Sequence, residues 1–171
     1  MPIWQEQCVT IEPPMVTVDF RNALGSFPTG VCIITTRRRA GKRKGLTAGS
    51  FNTVSLTPPT ILWSLTRSSP SAEAFRNCEY FAVNVLAAEH RAISSHFARK
   101  SEDKFAPYEA EFEDGLGGSP LLTSAAVVFQ CRHSFQNYGG DQIVFVGAVD
   151  SYASTDRAPL VFHRGKYADL A

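Results

Sequence analysis

Three short stretches of this chain hold residue types that could grip a ligand by hydrogen bonds and charge. In Thr47-Ala48-Gly49-Ser50-Phe51-Asn52-Thr53-Val54-Ser55, followed by Pro58-Pro59, hydroxyls alternate with small side chains. Side-chain oxygens and backbone amides left uncovered by bulk suit a planar heterocycle with carbonyls and ring nitrogens along one edge. The same composition also builds an ordinary Ser/Thr-rich strand and turn with no ligand. A second stretch, Arg67-Ser68-Ser69-Pro70-Ser71, leads into Ala72 to Arg76. Ser69 is predicted to cap that helix and Pro70 to open it. The free amides there, the hydroxyls of Ser68 and Ser71, and the guanidinium of Arg67 would attract a phosphate, although capping alone explains the Ser-Pro pair. The third, Pro28-Thr29-Gly30, predicts a turn where backbone could approach a ligand closely.

Other chemistries are disfavoured. There is no Walker loop, and Gly115, Gly117 and Gly118 fit no dinucleotide fingerprint. No GxSxG elbow or Cys/His pairing marks a nucleophile. Cys8, Cys32, Cys78 and Cys131 are scattered, without zinc-like spacing, and His90 and His96 do not share a helical face. No protein-bound metal and no side-chain acid, base or nucleophile is therefore expected. Seventeen Lys+Arg against 16 Asp+Glu leave a net charge of +1 in 171 residues, which disfavours nucleic acid as a partner. The longest apolar run, Ile143 to Val149, is far below the ~20 residues of a spanning helix, and the N-terminus lacks a secretory pattern. A soluble cytoplasmic protein with reduced thiols is expected.

The elements that must position these stretches are mostly strands. Residues 1–16, with three prolines, are predicted to be an irregular arm ahead of one domain over 17–171. Asp19, Phe20 and Leu24 predict a short helix ending at Gly25. Strands are predicted at Val31 to Thr36, Thr60 to Leu65, Tyr80 to Val85, Val127 to Phe135, Ile143 to Asp150 and Leu160 to His163. In Val127 to Phe135 one parity (Val127, Phe129, Cys131, Phe135) is predicted to face the core. Gly139-Gly140 is the turn that follows. Helical patterns cover Pro70 to Arg76 and roughly Ala88 to Phe97. Strands outnumber helices without alternating with them, so a largely antiparallel barrel or sandwich with accessory helices is expected. The basic run Arg37 to Lys44 reads as a solvated hairpin loop or an attractor of phosphate ligands, and Glu102 to Asp114 as an acidic surface excursion.

Several motifs then fall into register with a known family. Phe20-Arg-Asn-Ala-Leu-Gly-Ser-Phe-Pro-Thr-Gly-Val31 and Thr47-Ala-Gly-Ser-Phe-Asn-Thr-Val-Ser-Leu-Thr-Pro-Pro59 resemble the opening and the main flavin motif of the flavin reductase family with the FMN-binding split barrel. Arg67-Ser68, Phe81 to Leu86, Phe97-Ala98, Lys104-Phe105, Gly118 to Leu122, Gly140-Asp141 with Gly147, and Pro159-Leu160 follow in the family's order. The resemblance implies a mainly β fold, a split β-barrel of Greek-key type with a few accessory helices, usually a homodimer. It implies an oxidoreductase reducing FMN or FAD with NADH or NADPH. Reduced flavin would diffuse to a partner monooxygenase that acts on an aromatic compound. Two alternatives stay open: a non-catalytic flavin-binding or electron-carrier protein, and a flavin-dependent reductase of cobalamin or ferric iron.

Carried over, Thr47, Ala48 and Ser50 would hold the flavin ring edge, with Phe51, Thr53 and Ser55 nearby. Thr29 and Gly30 would line the ribityl and phosphate region. Ser68 and Ser71, with Arg67, would hold the phosphate end, and Phe105, Tyr167 and the Gly140-Asp141 turn would border the nicotinamide. Members of the family often read Gly-Asp-His at that turn, whereas this chain reads Gly140-Asp141-Gln142. A glutamine donates and accepts hydrogen bonds but carries no charge.

Overall fold

A computed structural model describes residues 18–38 and 41–170. The arm expected over 1–16 and Cys8 lie outside the described residues. The helices are α1 (Val18–Gly25), α2 (Ala72–Arg76) and α3 (Arg91–Ala98). The strands are β1 (Thr29–Gly30), β2 (Cys32–Arg37), β3 (Arg43–Ala48), β4 (Asn52–Leu56), β5 (Pro59–Thr66), β6 (Tyr80–Val85), β7 (Phe112–Asp114), β8 (Pro120–Leu122), β9 (Val127–Gly139), β10 (Gln142–Ser154), β11 (Val161–His163) and β12 (Lys166–Ala168). Seven of them form one antiparallel sheet in the order β3-β2-β6-β9-β10-β5-β4, beside small sheets β1-β11-β12 and β7-β8. The sheet curls until β3 approaches β5, where the Ser50 hydroxyl donates to the Ser64 carbonyl at 2.8 Å and accepts its N–H at 2.9 Å. This is the split barrel with accessory helices that the resemblance implies.

Alternation along β2 explains why that strand is buried on both faces. Cys32 and Ile34 point into the barrel with Trp63, Phe75, Phe81 and Phe145. Ile33 points outward, into a second cluster with Phe97, Phe105, Leu122 and Leu160. Asn84 of β6 is buried in that outer layer, where its amide donates to the Ile33 carbonyl at 3.0 Å and accepts the Leu122 N–H at 2.7 Å. In the barrel, the Phe81 ring packs over Gly147, whose added Cβ would lie 2.5 Å from Phe81 Cζ. Glycine is what lets that ring cross β10.

Three sequence expectations need correction. Phe135 is 55% exposed, because a bulge separates the pairs Gly147↔His133 and Val146↔Phe135. The extra residue, Ser134, shifts the alternation by one, so Gln136 turns inward in place of Phe135. In the second stretch, α2 begins at Ala72 with Ser71 as its N-cap, not at Pro70 with Ser69. Ser69 instead closes a turn, its N–H bonded to the Thr66 carbonyl at 2.9 Å. The hairpin turn falls at Gly140-Asp141, one residue later than Gly139-Gly140.

The two charged runs meet through two ion pairs. Arg37 pairs with Asp114, Arg43 with Glu109, and Arg38 with Glu73 of α2. Burial raises the thiol pKa to about 12 at Cys32 and Cys131 and about 11 at Cys78, so these thiols stay protonated and act as small hydrophobes. Among the described residues no helix is long and apolar enough to cross a membrane.

His90, at the start of α3, accepts the Ala87 N–H at Nδ1 (3.0 Å) and faces the Ser124 hydroxyl through Nε2 (3.0 Å). That pattern requires the neutral ring. Burial, with Arg157 adding to it against the opposing effect of Glu89, holds its pKa below the ordinary 6.5. A lowered folded pKa means that the unfolded chain binds the proton first, so stability is full above about pH 6.5 and falls as the pH drops below it. Urea unfolding at pH 7.5 and 5.5 is expected to show a smaller acid loss for His90→Gln than for the parent. Equal losses would remove His90 from the balance.

Candidate functional site

One cleft of about 740 Å³ opens between the hairpin β2–β3, the end of β5 and the segment after α3. That size suits an organic cofactor. Its floor is aromatic, with Phe97 and Phe105 in edge-to-face contact at 5.1 Å. The wall above them is glycine at position 45, where a Cβ would come within 2.7 Å of Phe97 and 3.0 Å of Phe105. Any side chain there would collide with both rings. One side of the cleft carries the hydroxyls of Ser68, Ser69 and Ser71. The other carries Arg43, Lys44, Arg99, Lys100 and Lys104, against the single acid Glu102.

Not all of those cations are available to a ligand. Arg43 is engaged by Glu109, which raises its pKa, and its guanidinium sits 4.8 Å from the centre of the Phe105 ring. Lys104 Nζ donates to the Phe97 and Gly45 carbonyls at 2.7 and 3.2 Å, tying the segment after α3 to β3. Burial, then the nearby Lys44, lowers the Lys104 pKa. Lys44, Arg99 and Lys100 have no carboxylate at ion-pair distance among the described residues. They make this wall attractive to an anion.

Of the residues singled out from the sequence, Thr47, Ser68, Ser71 and Phe105 line the cleft. The Thr47 hydroxyl donates to the Ser94 carbonyl at 2.6 Å, and Ser94 Oγ meets the Tyr167 hydroxyl at 2.8 Å, which places Tyr167 behind the wall instead of in it. Gln142 and Asp141 sit at the rim, where Gln142 Nε2 donates to the hydroxyl of the lining residue Thr66 at 3.1 Å. Arg67 turns its guanidinium away, 4.8 Å over the Tyr138 ring, while its N–H bonds the Asp141 carbonyl. Thr29 and Gly30 lie beside the bend after β3, with Thr29 Oγ1 3.1 Å from where a Cβ on Gly49 would be.

The rest of the first stretch leaves the cleft. Ala48 is buried in the barrel core, Ser50 is occupied by Ser64, and Phe51 stacks on Phe129 at 5.6 Å. Thr53 and Ser55 lie on the edge strand β4, where Ser55 Oγ accepts the Thr57 N–H. Strand alternation is the reason: residues of one short stretch cannot all face one side. Sequence reasoning missed Thr66, Arg99 and Lys100. The pair Arg99-Lys100 directly after α3 was the available signal, but its distance from the serines becomes short only when the chain folds.

Residues 24–171 match the model of the "Flavin reductase like domain". A flavin reductase of Pseudomonas putida is 36% identical over 154 residues, covering 89% of both chains. The reductase component of a flavin-dependent trigonelline monooxygenase from Acinetobacter baylyi is 35% identical over 152 residues, covering 87% of this chain and 47% of its own length. This chain thus spans about half the length of some of the curated relatives it matches. Among solved structures, the NADH:FAD oxidoreductase SgcE6 of Streptomyces globisporus, in complex with NAD and FAD fragments, superposes with a TM-score of 0.87 at 30% identity, covering 95% of this chain and 98% of its own. With the barrel, the cleft and a match over nearly the whole described chain in hand, we conclude that the protein belongs to the flavin reductase like domain family.

Proposed function

We propose that this chain is an NAD(P)H:flavin oxidoreductase that reduces FMN or FAD and supplies reduced flavin to a partner monooxygenase. The observation that carries the reading is the composition of the cleft: an aromatic floor, a hydroxyl wall and an unpaired cationic wall around a volume fit for an organic cofactor. These residues fit a flavin. Leu65, Pro70 and Ala98 offer apolar surface to a ring system above the buried Phe97 and Phe105, Ser68 and Ser71 offer hydroxyls to a phosphate end, and Lys44, Arg99 and Lys100 offer charge. A bound flavin supplies a ring that takes hydride from a reduced nicotinamide, so the protein's own work is to orient, to exclude water and to balance charge. The names of relatives support the reading: one is an NADH-dependent FMN reductase, and others are reductase components of monooxygenases. A homodimer is supported by the exposed apolar residues Val54 and Leu56 on edge strand β4. A cytoplasmic setting is supported by the free thiols Cys32, Cys78 and Cys131, and one domain over 17–171 by the family match.

Mixing the protein with NADH or NADPH and excess FMN or FAD should give loss of nicotinamide absorbance well above the flavin-only rate. No oxidation with bound flavin would favour the non-catalytic carrier. Oxidation that depends on added cobalamin or ferric chelate would favour the reductase of another acceptor. Ser68→Ala is expected to weaken flavin binding by roughly 1–2 kcal/mol through loss of a charge-assisted hydrogen bond. Unchanged affinity in a fluorescence titration would take Ser68 out of the site.

A further inference from the structure

Thr66, the last residue of β5, pairs with Gln142, the first of β10, so their side chains lie side by side on one face of the sheet. Gln142 Nε2 donates to Thr66 Oγ1 at 3.1 Å and to the Asp141 carboxylate at 3.3 Å. A carboxylate only accepts. The amide atom facing it must therefore be the NH2 group, and this fixes the amide's orientation and makes the Thr66 oxygen an acceptor. The turn after β5 holds Thr66 from the other side, through the bond from the Ser69 N–H to the Thr66 carbonyl. The Thr66 hydroxyl has one proton left, no described residue accepts it, and Thr66 lines the cleft.

We infer that the Thr66 hydroxyl binds the flavin ring itself, donating to a carbonyl oxygen or imine nitrogen of the heterocycle, and that Gln142 is the positioning residue that gives it this sense. The inference rests on the flavin reading above. An unconstrained threonine hydroxyl rotates and serves as donor or acceptor with equal ease. With one lone pair taken by Gln142, the proton is turned away from the amide and toward the cleft. The ring edge of a flavin is rich in acceptors, so a hydroxyl held as a donor suits it. An amide holds this arrangement at every pH, unlike a titrating side chain at the same place.

The test measures dissociation constants for FMN and riboflavin by fluorescence titration of the parent, Thr66→Val, Thr66→Ser, Gln142→Leu and the Thr66→Val/Gln142→Leu double variant, with urea midpoints recorded for each. Thr66→Val is expected to weaken both flavins equally, by about fivefold, as loss of one neutral hydrogen bond predicts. Equal loss for the two ligands takes the contact off the phosphate, and the same loss for lumiflavin, which has no ribityl chain, places it on the ring. Thr66→Ser should recover the parent affinity, Gln142→Leu should lose part of what Thr66→Val loses, and the double variant should lose no more than Thr66→Val alone. Unchanged flavin affinity in Thr66→Val, or additive losses in the double variant, would overturn the assignment. A parent that binds neither flavin would overturn this inference and the proposed function together, whereas a parent that binds while Thr66→Val is silent overturns this inference alone.

Discussion

Reversing the free cations of the cleft together, by Lys44→Glu, Arg99→Glu and Lys100→Glu, is expected to weaken FMN by about fiftyfold while riboflavin stays within about threefold of the parent. These three side chains line one wall and have no ion-pair partner among the described residues. Each reversal changes the local charge by two, and a unit pair about 8 Å apart in water interacts by ~0.5 kcal/mol. Against a phosphate of nearly two charges, three reversals amount to roughly 6 kcal/mol before screening. One Debye length of physiological salt reduces that to about 2.3 kcal/mol. Riboflavin lacks the phosphate and reports any damage to the ring site. Fluorescence titrations with both ligands at low and high salt read the effect. Equal losses for the two flavins, or an FMN affinity indifferent to salt, would move the phosphate to another part of the protein.

The largest loss of stability is expected at Trp63. The Trp63 side chain is fully buried, stacked on Phe145 at 4.5 Å and edge-on to Phe75 at 4.9 Å and Phe81 at 5.9 Å. Trp63→Ala opens a cavity that these rings cannot all collapse into, at a cost of about 3–5 kcal/mol. That is a large share of a typical domain's stability of about 5–15 kcal/mol. Trp63→Phe provides the contrast. The indole N–H is buried without an acceptor, so its removal relieves a desolvated donor worth roughly 1–3 kcal/mol and offsets much of the lost volume. Urea unfolding followed by circular dichroism should rank the alanine variant far below both other proteins. A phenylalanine variant as unstable as the alanine one would show that the indole nitrogen is satisfied after all.

Local chemistry determined much of this protein before any folding is considered. β-branched and alternating runs mark β2, β5, β6, β9 and β10, because backbone preference and strand period act over neighbouring residues. Motif order was enough to indicate the split barrel and its family. The thiols could be read as reduced small hydrophobes from their scatter alone, and Cys32 and Cys131 are buried as such. What lay beyond the sequence depends on distance through space. The bulge at Ser134 that turns Phe135 outward and Gln136 inward is set by how β9 pairs with β10. The pairing of Arg37 and Arg43 with Asp114 and Glu109 follows from the docking of one loop on another. Tertiary structure also decided which hydroxyls are free. Thr47, Ser50 and Tyr167 are occupied by protein partners, whereas Ser68, Ser71 and the proton of Thr66 are left to the cleft. A hydroxyl's availability is a property of whatever lies within about three ångströms of it, and for these residues the neighbours come from strands and helices 14 to 76 positions away in the chain.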